Sequence, residues 1–360
     1  MEATNPTDQL IEDIQKAGGN NFSLDADRVK VELEESYGVY SNLPIKVLSI
    51  LGGFLATLSF IGFLALARVL ESETGMILLG VIFIGSAVAS GRLVRHIALD
   101  TSMITLYMAG CIMLAIGMSK YTEHYNHNLS PMLFILISLL TIAFSDGFMM
   151  ILLAVLVFSG SIFSFIPINS AYGLMPVPII FMGIGLLLLN FYESQIITFS
   201  PKMNRLYKGL QTGFFLSFAA GLLTAAQNIH YDLRLGHLYT VSIFNSIALL
   251  GFVFKFTGDF KIENKVYLLL TYFFCLLFIA STFFAPFVSG GLLLLLMAYH
   301  FGQKTEMGIS IILFAYFISQ FYYDLRCTLL VKSGILFFSG MVFIAAWLFF
   351  YRQLKQHDEI

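Results

Sequence analysis

The chain has 360 residues, of which 58% are hydrophobic and only 12% charged, with a mean hydropathy of +0.83. Water-soluble proteins carry about twice that charge to cover their surface, so a soluble globular fold is excluded and lipid is the expected solvent. The formal net charge of −2, with no basic face concentrated anywhere, excludes a nucleic-acid footprint.

Residues 1–42 hold nine acids and three bases. That is the reverse of a basic leader followed by an apolar run, so no cleavable signal peptide is read there. Leu10, Ile11 and Ile14 share one face of a short helix over Asp8–Lys16, which Gly18-Gly19-Asn20-Asn21 ends. The stretch reads as an acidic cytoplasmic tail, either free and solubilising or docked weakly on a partner or on the bundle.

From Leu43 onward apolar segments follow in close succession. A spanning helix takes about 20 apolar residues, and about 17 suffice with little tilt. That rule predicts twelve, at 43–67, 75–91, 98–118, 130–145, 147–165, 171–191, 206–226, 237–257, 265–282, 285–302, 306–322 and 327–351. The expected fold is an all-α polytopic membrane protein with a bundle over 43–351 and a short cytoplasmic C-terminal tail over 352–360. The fourth and fifth segments are short and separated only by Ser145-Asp146-Gly147, so two spans and one re-entrant hairpin both fit.

The bases give the orientation. With both termini in the cytosol, Lys16, Arg28, Lys30, Lys46, Arg92, Arg95, Lys202, Arg205, Lys208, Lys255, Lys261, Lys265, Lys304, Arg352 and Lys355 fall inside. Only Arg68, Lys120, Arg234, Arg326 and Lys332 fall outside, the asymmetry that sets topology. Tyr-Asp-Leu-Arg then occurs at two outer joints, 231–234 and 323–326, four spans apart, and His124-Tyr125-Asn126 stands four spans earlier. This spacing suggests three parallel repeats of four helices.

The closing run Phe321 to Gly334 and the basic tail from Arg352 to Lys355 carry a family resemblance, which extends back through the Gly-rich first helix at Leu51-Gly52-Gly53-Phe54. Through Asp324, Leu325, Leu329, Lys332 and Ser333 above all, the chain resembles the bacterial membrane family catalogued as domain of unknown function 4401. The resemblance implies a bacterial inner-membrane protein and brings no activity with it.

Candidate chemistry gathers at the outer joints. Asp324 and Asp232 suit helix N-caps, whose carboxylates accept otherwise unpartnered backbone N–H groups. Alternatively, Asp324 pairs with Lys332, about two turns further along the same face, where a deeply placed base needs a partner or must snorkel. His230, Tyr231 and Arg234 beside Asp232, and Tyr323 beside Asp324, complete an outer polar cluster. His124, His127, His230 and His237 include zinc-ligand types, but His-x-x-His in a loop is a weak signal. The alternative is an interfacial belt of His and Tyr. No cofactor is expected.

Asn190, Gln211, Gln227, Asn245 and Gln320 read as amides that tie helices together. Cys111, Cys275 and Cys327 read as packing residues, as do the small-residue stripes Ser86-xxx-Ser90 and Ala87-xxx-Gly91. Pro176 and Pro178, with Gly183 and Gly185 behind them, are placed to break the sixth span, either as a tolerated kink or as a midplane substrate site.

The leading functional reading is a non-enzymatic membrane subunit, scaffold or assembly factor for an envelope partner. The alternative is a carrier for a small or amphipathic solute, which would show a hydrated path lined by Asn190, Gln227 or Lys332. An intramembrane enzyme fits least, for want of convergent carboxylates within the spans.

Overall fold

The structure is a computed structural model that describes residues 72–90, 97–122, 126–228, 239–259, 265–283 and 285–324, with single positions within 52–63 and 330–344. Every regular element among them is helical. The eleven α-helices are α1 (Glu73–Ser90), α2 (Ile97–Thr122), α3 (Leu129–Phe144), α4 (Phe148–Ile168), α5 (Pro176–Phe191), α6 (Glu193–Phe199), α7 (Pro201–Asn228), α8 (Tyr239–Asp259), α9 (Lys265–Thr282), α10 (Pro286–His300) and α11 (Lys304–Asp324). In lipid a segment must satisfy its own backbone donors and acceptors, which leaves the α-helix as the solution for such apolar runs.

Ten of the predicted segments coincide with helices, and α6 was not anticipated. The first and last, 43–67 and 327–351, lie largely outside the described residues. Six candidate spans, in α2, α4, α5 with its leading turn, α7, α8 and α11, are long and apolar enough to cross a membrane. α1, α3, α9 and α10 are apolar but shorter.

The chain forms two units, residues 1–117 and 118–360, with the boundary inside α2. In the first, α1 and α2 meet at glycines. A Cβ on Gly80 would come within 2.9 Å of the Gly110 carbonyl oxygen, and one on Gly110 equally close to that of Gly80. Met76, Ile84 and Ala87 of α1 are buried here, with Met103, Tyr107, Met113 and Leu114 of α2. The expected stripe through Ser86 is displaced: Ser86 is exposed and donates to the Phe83 carbonyl at 3.0 Å, while Ala87 is on the packed face.

The second unit is built around α7, which packs on α4, α5, α6, α10 and α11. Its glycines admit α4: Gly209 faces Ile151 and the Phe148 carbonyl, and Gly213 faces Val155. Gly290 and Gly291 of α10 lie under Leu222 and Phe317. Between apolar helices in lipid no hydrophobic force operates, so this close backbone approach supplies dispersion energy instead. Phe218, Leu222, Ile179, Met182, Leu294 and Phe317 fill the centre. α3 and α4 form an antiparallel hairpin, held at its open end by reciprocal amide bonds between Asn128 and Asn169 at 2.7 and 3.0 Å.

Candidate functional site

Among the described residues a buried polar assembly lies where α5 and α10 end and α7 and α11 begin. Its placement starts with Gly302, whose φ of 64° closes α10. The Gln303 N–H donates back to the Ala298 carbonyl at 2.9 Å and that of Gly302 to Tyr299 at 3.2 Å, a Schellman ending. The chain leaves this turn with Gln303 preceding α11 and Glu306 in its first turn.

Glu306 is 3% exposed. Its Oε1 accepts from Lys208 Nζ at 3.2 Å and from Thr212 Oγ1 at 2.9 Å. Lys208 and Thr212 are one turn apart on α7 and so address the same point. Lys208 also donates to Gln211 Oε1 at 3.2 Å, and Gln211 Nε2 donates to Asn190 Oδ1 at 2.7 Å. That oxygen takes a second bond from Gln303 Nε2 at 2.8 Å, and Asn190 Nδ2 donates to the Leu186 carbonyl at 2.9 Å. Burying the carboxylate is offset by the ammonium, the hydroxyl and the positive end of α11. These bonds tie α5, α7 and α11 together.

Further contacts bring basic side chains to the same end. Arg205 reaches Asp146 in the α3–α4 turn at 3.5 Å, and Lys202 Nζ donates to the Ala143 carbonyl at 2.5 Å. Lys255 Nζ stands 4.4 Å from the Phe191 ring centroid. Phe191 packs on Phe252 and Phe301, and His300 sets its edge against both at 5.4 and 4.9 Å. At the opposite end of the unit Asn245 clamps the start of α10, donating to the Pro286 carbonyl at 2.7 Å and to Ser289 Oγ at 3.3 Å.

The outer cluster expected from the sequence lies mostly outside the described residues: Asp232, Arg234, His230, Tyr231 and Lys332, together with His124 and His237. Asp324 is the last residue of α11, and the backbone it would cap follows the described residues. Tyr323 is exposed, its ring edge on Tyr322. His127 is exposed in the turn before α3. Among the described residues no three His, Cys, Asp or Glu side chains converge.

Pro176 and Pro178 need correction. They occupy the first turn of α5, which continues unbroken past Gly183 and Gly185. A first-turn proline sacrifices no intrahelical donor, so these residues start the helix rather than divide it.

A sequence profile described as Domain of unknown function (DUF4401) matches residues 42–353. The chain belongs to this family. The DUF4401 match takes in every described helix, and with them the Glu306 network and the glycine contacts of both units. Neither a curated protein nor a solved structure matches the chain.

Proposed function

We propose that this DUF4401 protein is a non-enzymatic component of a bacterial cytoplasmic membrane: a subunit, scaffold or assembly factor for an envelope partner. Its basic helix ends and both termini face the cytosol, with about twelve spans in all. The observation that supports this reading is the filled interior of the second unit. Neighbouring atoms stand within 3.0 Å of where a methyl would sit on Gly183, Gly209, Gly213, Gly221, Gly290 and Gly291. Asn190, the described residue best suited to line a carrier's path, is 2% exposed and held by three hydrogen bonds. Gln227 faces outward.

Single cysteines test it in a background lacking Cys111, Cys275 and Cys327. Cysteines at Leu186, Phe218 and Leu222 should resist a membrane-impermeant thiol reagent from either side. One at Lys202 should react only from the cytosol and one at Asp324 only from outside. Labelling of the three interior positions would favour the carrier. Asp324→Asn adds a second measurement: lost abundance marks a structural cap, whereas retained abundance with a lost membrane complex marks a partner site.

A further inference from the structure

The elbow between α5 and α7 is built unlike the rest of the unit. α6 has no buried residue. Phe199 at its end is 85% exposed, more than any other large hydrophobic among the described residues. Tyr192, at the junction that joins α5 to α6, is 47% exposed. Ser194, Gln195, Ser200 and Lys202 surround these rings in sequence. A ring this exposed among polar neighbours is costly in water, and its flanks are costly among acyl chains. The headgroup boundary is the environment that suits both.

The charges here have a sign. Arg205 and Lys208 are paired with Asp146 and Glu306, but Lys202 rests on a neutral carbonyl and Lys255 on an aromatic ring. Lys304 is exposed. Among the described side chains those contacts leave three ammonium charges standing, against the carboxylate of Glu193 on α6 itself. We propose that the α5–α7 elbow is a docking surface for an anionic lipid leaflet, with Phe199 and Tyr192 seated at the headgroup boundary and Lys202, Lys255 and Lys304 facing lipid phosphates.

The sole tryptophan, Trp347, makes a clean optical test possible. The full chain carrying Trp347→Phe and Phe199→Trp is placed in nanodiscs of phosphatidylcholine with phosphatidylglycerol, one lipid at a time being brominated. The proposal expects the indole introduced by Phe199→Trp to be blue-shifted, quenched by brominated lipid and shielded from acrylamide. Brominated phosphatidylglycerol should quench about fivefold more efficiently per mole, the local enrichment one lysine supplies. Lys202→Gln, which removes the lysine three residues from the indole, should lower that ratio toward one without abolishing lipid quenching. If Phe199→Trp fails to fold, Tyr192→Trp reports from the same elbow. Quenching by acrylamide alone would place the elbow in water and overturn the proposal. Protection from both quenchers would assign the face to a protein partner, and equal quenching by the two lipids would remove the anionic preference; either result overturns it.

Discussion

Lys208 and Glu306 are unequal partners, and the inequality predicts which loss hurts more. The Glu306 carboxylate is almost wholly buried, whereas 52% of the Lys208 side chain is accessible. Lys208→Met would strand the buried carboxylate. Breaking such a pair from one side costs about 3–5 kcal/mol. The Thr212 bond at 2.9 Å survives, and the positive end of α11 offsets up to about 2 kcal/mol in a partly buried setting. With the full offset a net loss of roughly 1–3 kcal/mol follows from those two figures. Glu306→Gln removes the charge that needed burying and keeps an acceptor for Thr212, while Lys208 turns outward. Its cost should be near 1 kcal/mol, that of one charge-assisted bond made neutral. The double variant should therefore be more stable than Lys208→Met alone. Denaturation in mixed detergent–SDS micelles, followed by circular dichroism, measures all three. If Glu306→Gln costs as much as Lys208→Met, or the two losses simply add, the buried carboxylate is not what Lys208 serves.

Other substitutions probe the packing under the same assay. Gly209→Ala sets a methyl 2.9 Å from the Phe148 carbonyl oxygen, and Gly213→Ala sets one 2.7 Å from Val155 Cβ; each should cost about 1–3 kcal/mol by overpacking. Gly160→Ala is the control, since nothing lies within 4 Å, and it should gain up to about 1 kcal/mol of helix propensity. Ser170 closes α4 with φ at 51°; Ser170→Gly relieves a left-handed conformation costing a side-chain-bearing residue about 1–2 kcal/mol, so a higher melting temperature is expected. Asn190→Ala takes the shared acceptor from Gln211 and Gln303 and should cost about 1–3 kcal/mol.

What the sequence disclosed followed from length and hydropathy, and what it concealed followed from pairing. An apolar run of helical length announces itself, so most segments were legible to within a few residues. α6 is seven residues long, too short to register as a span. The prolines of α5 were visible, but a proline that starts a helix and one that breaks it look alike until the helix's true start is known. Glu306 stands at the very edge of a predicted segment, where nothing in the sequence singles it out. Its partner is 98 positions away, a distance over which periodicity says nothing. Asn190 and Gln211 were recognised as amides that tie helices, though not as members of one network. The α1–α2 seam turned on Gly80 and Gly110, since which small residues face a neighbour depends on where that neighbour lies.

The second unit holds its helices by two mechanisms of different reach. α7 is gripped along its length: its own Gly209, Gly213 and Gly221 admit side chains of α4 and α5, and Gly290 of α10 admits its Leu222. α11 is the least buried of the six candidate spans and α7 the most. α11 rests on α10 through one face, with Phe317 and Ser310 turned inward and Ile311, Ile312 and Tyr323 turned out. Its link to α5 and α7 is concentrated at its first turn, in Glu306 and the preceding Gln303. Further along, Phe317 is fully buried against Phe287 and Gly291 in the centre of the unit, with Leu313 and Phe314 packed beside it. The polar network therefore fixes where α11 begins, and one aromatic anchor on α10 holds its later turns to the core.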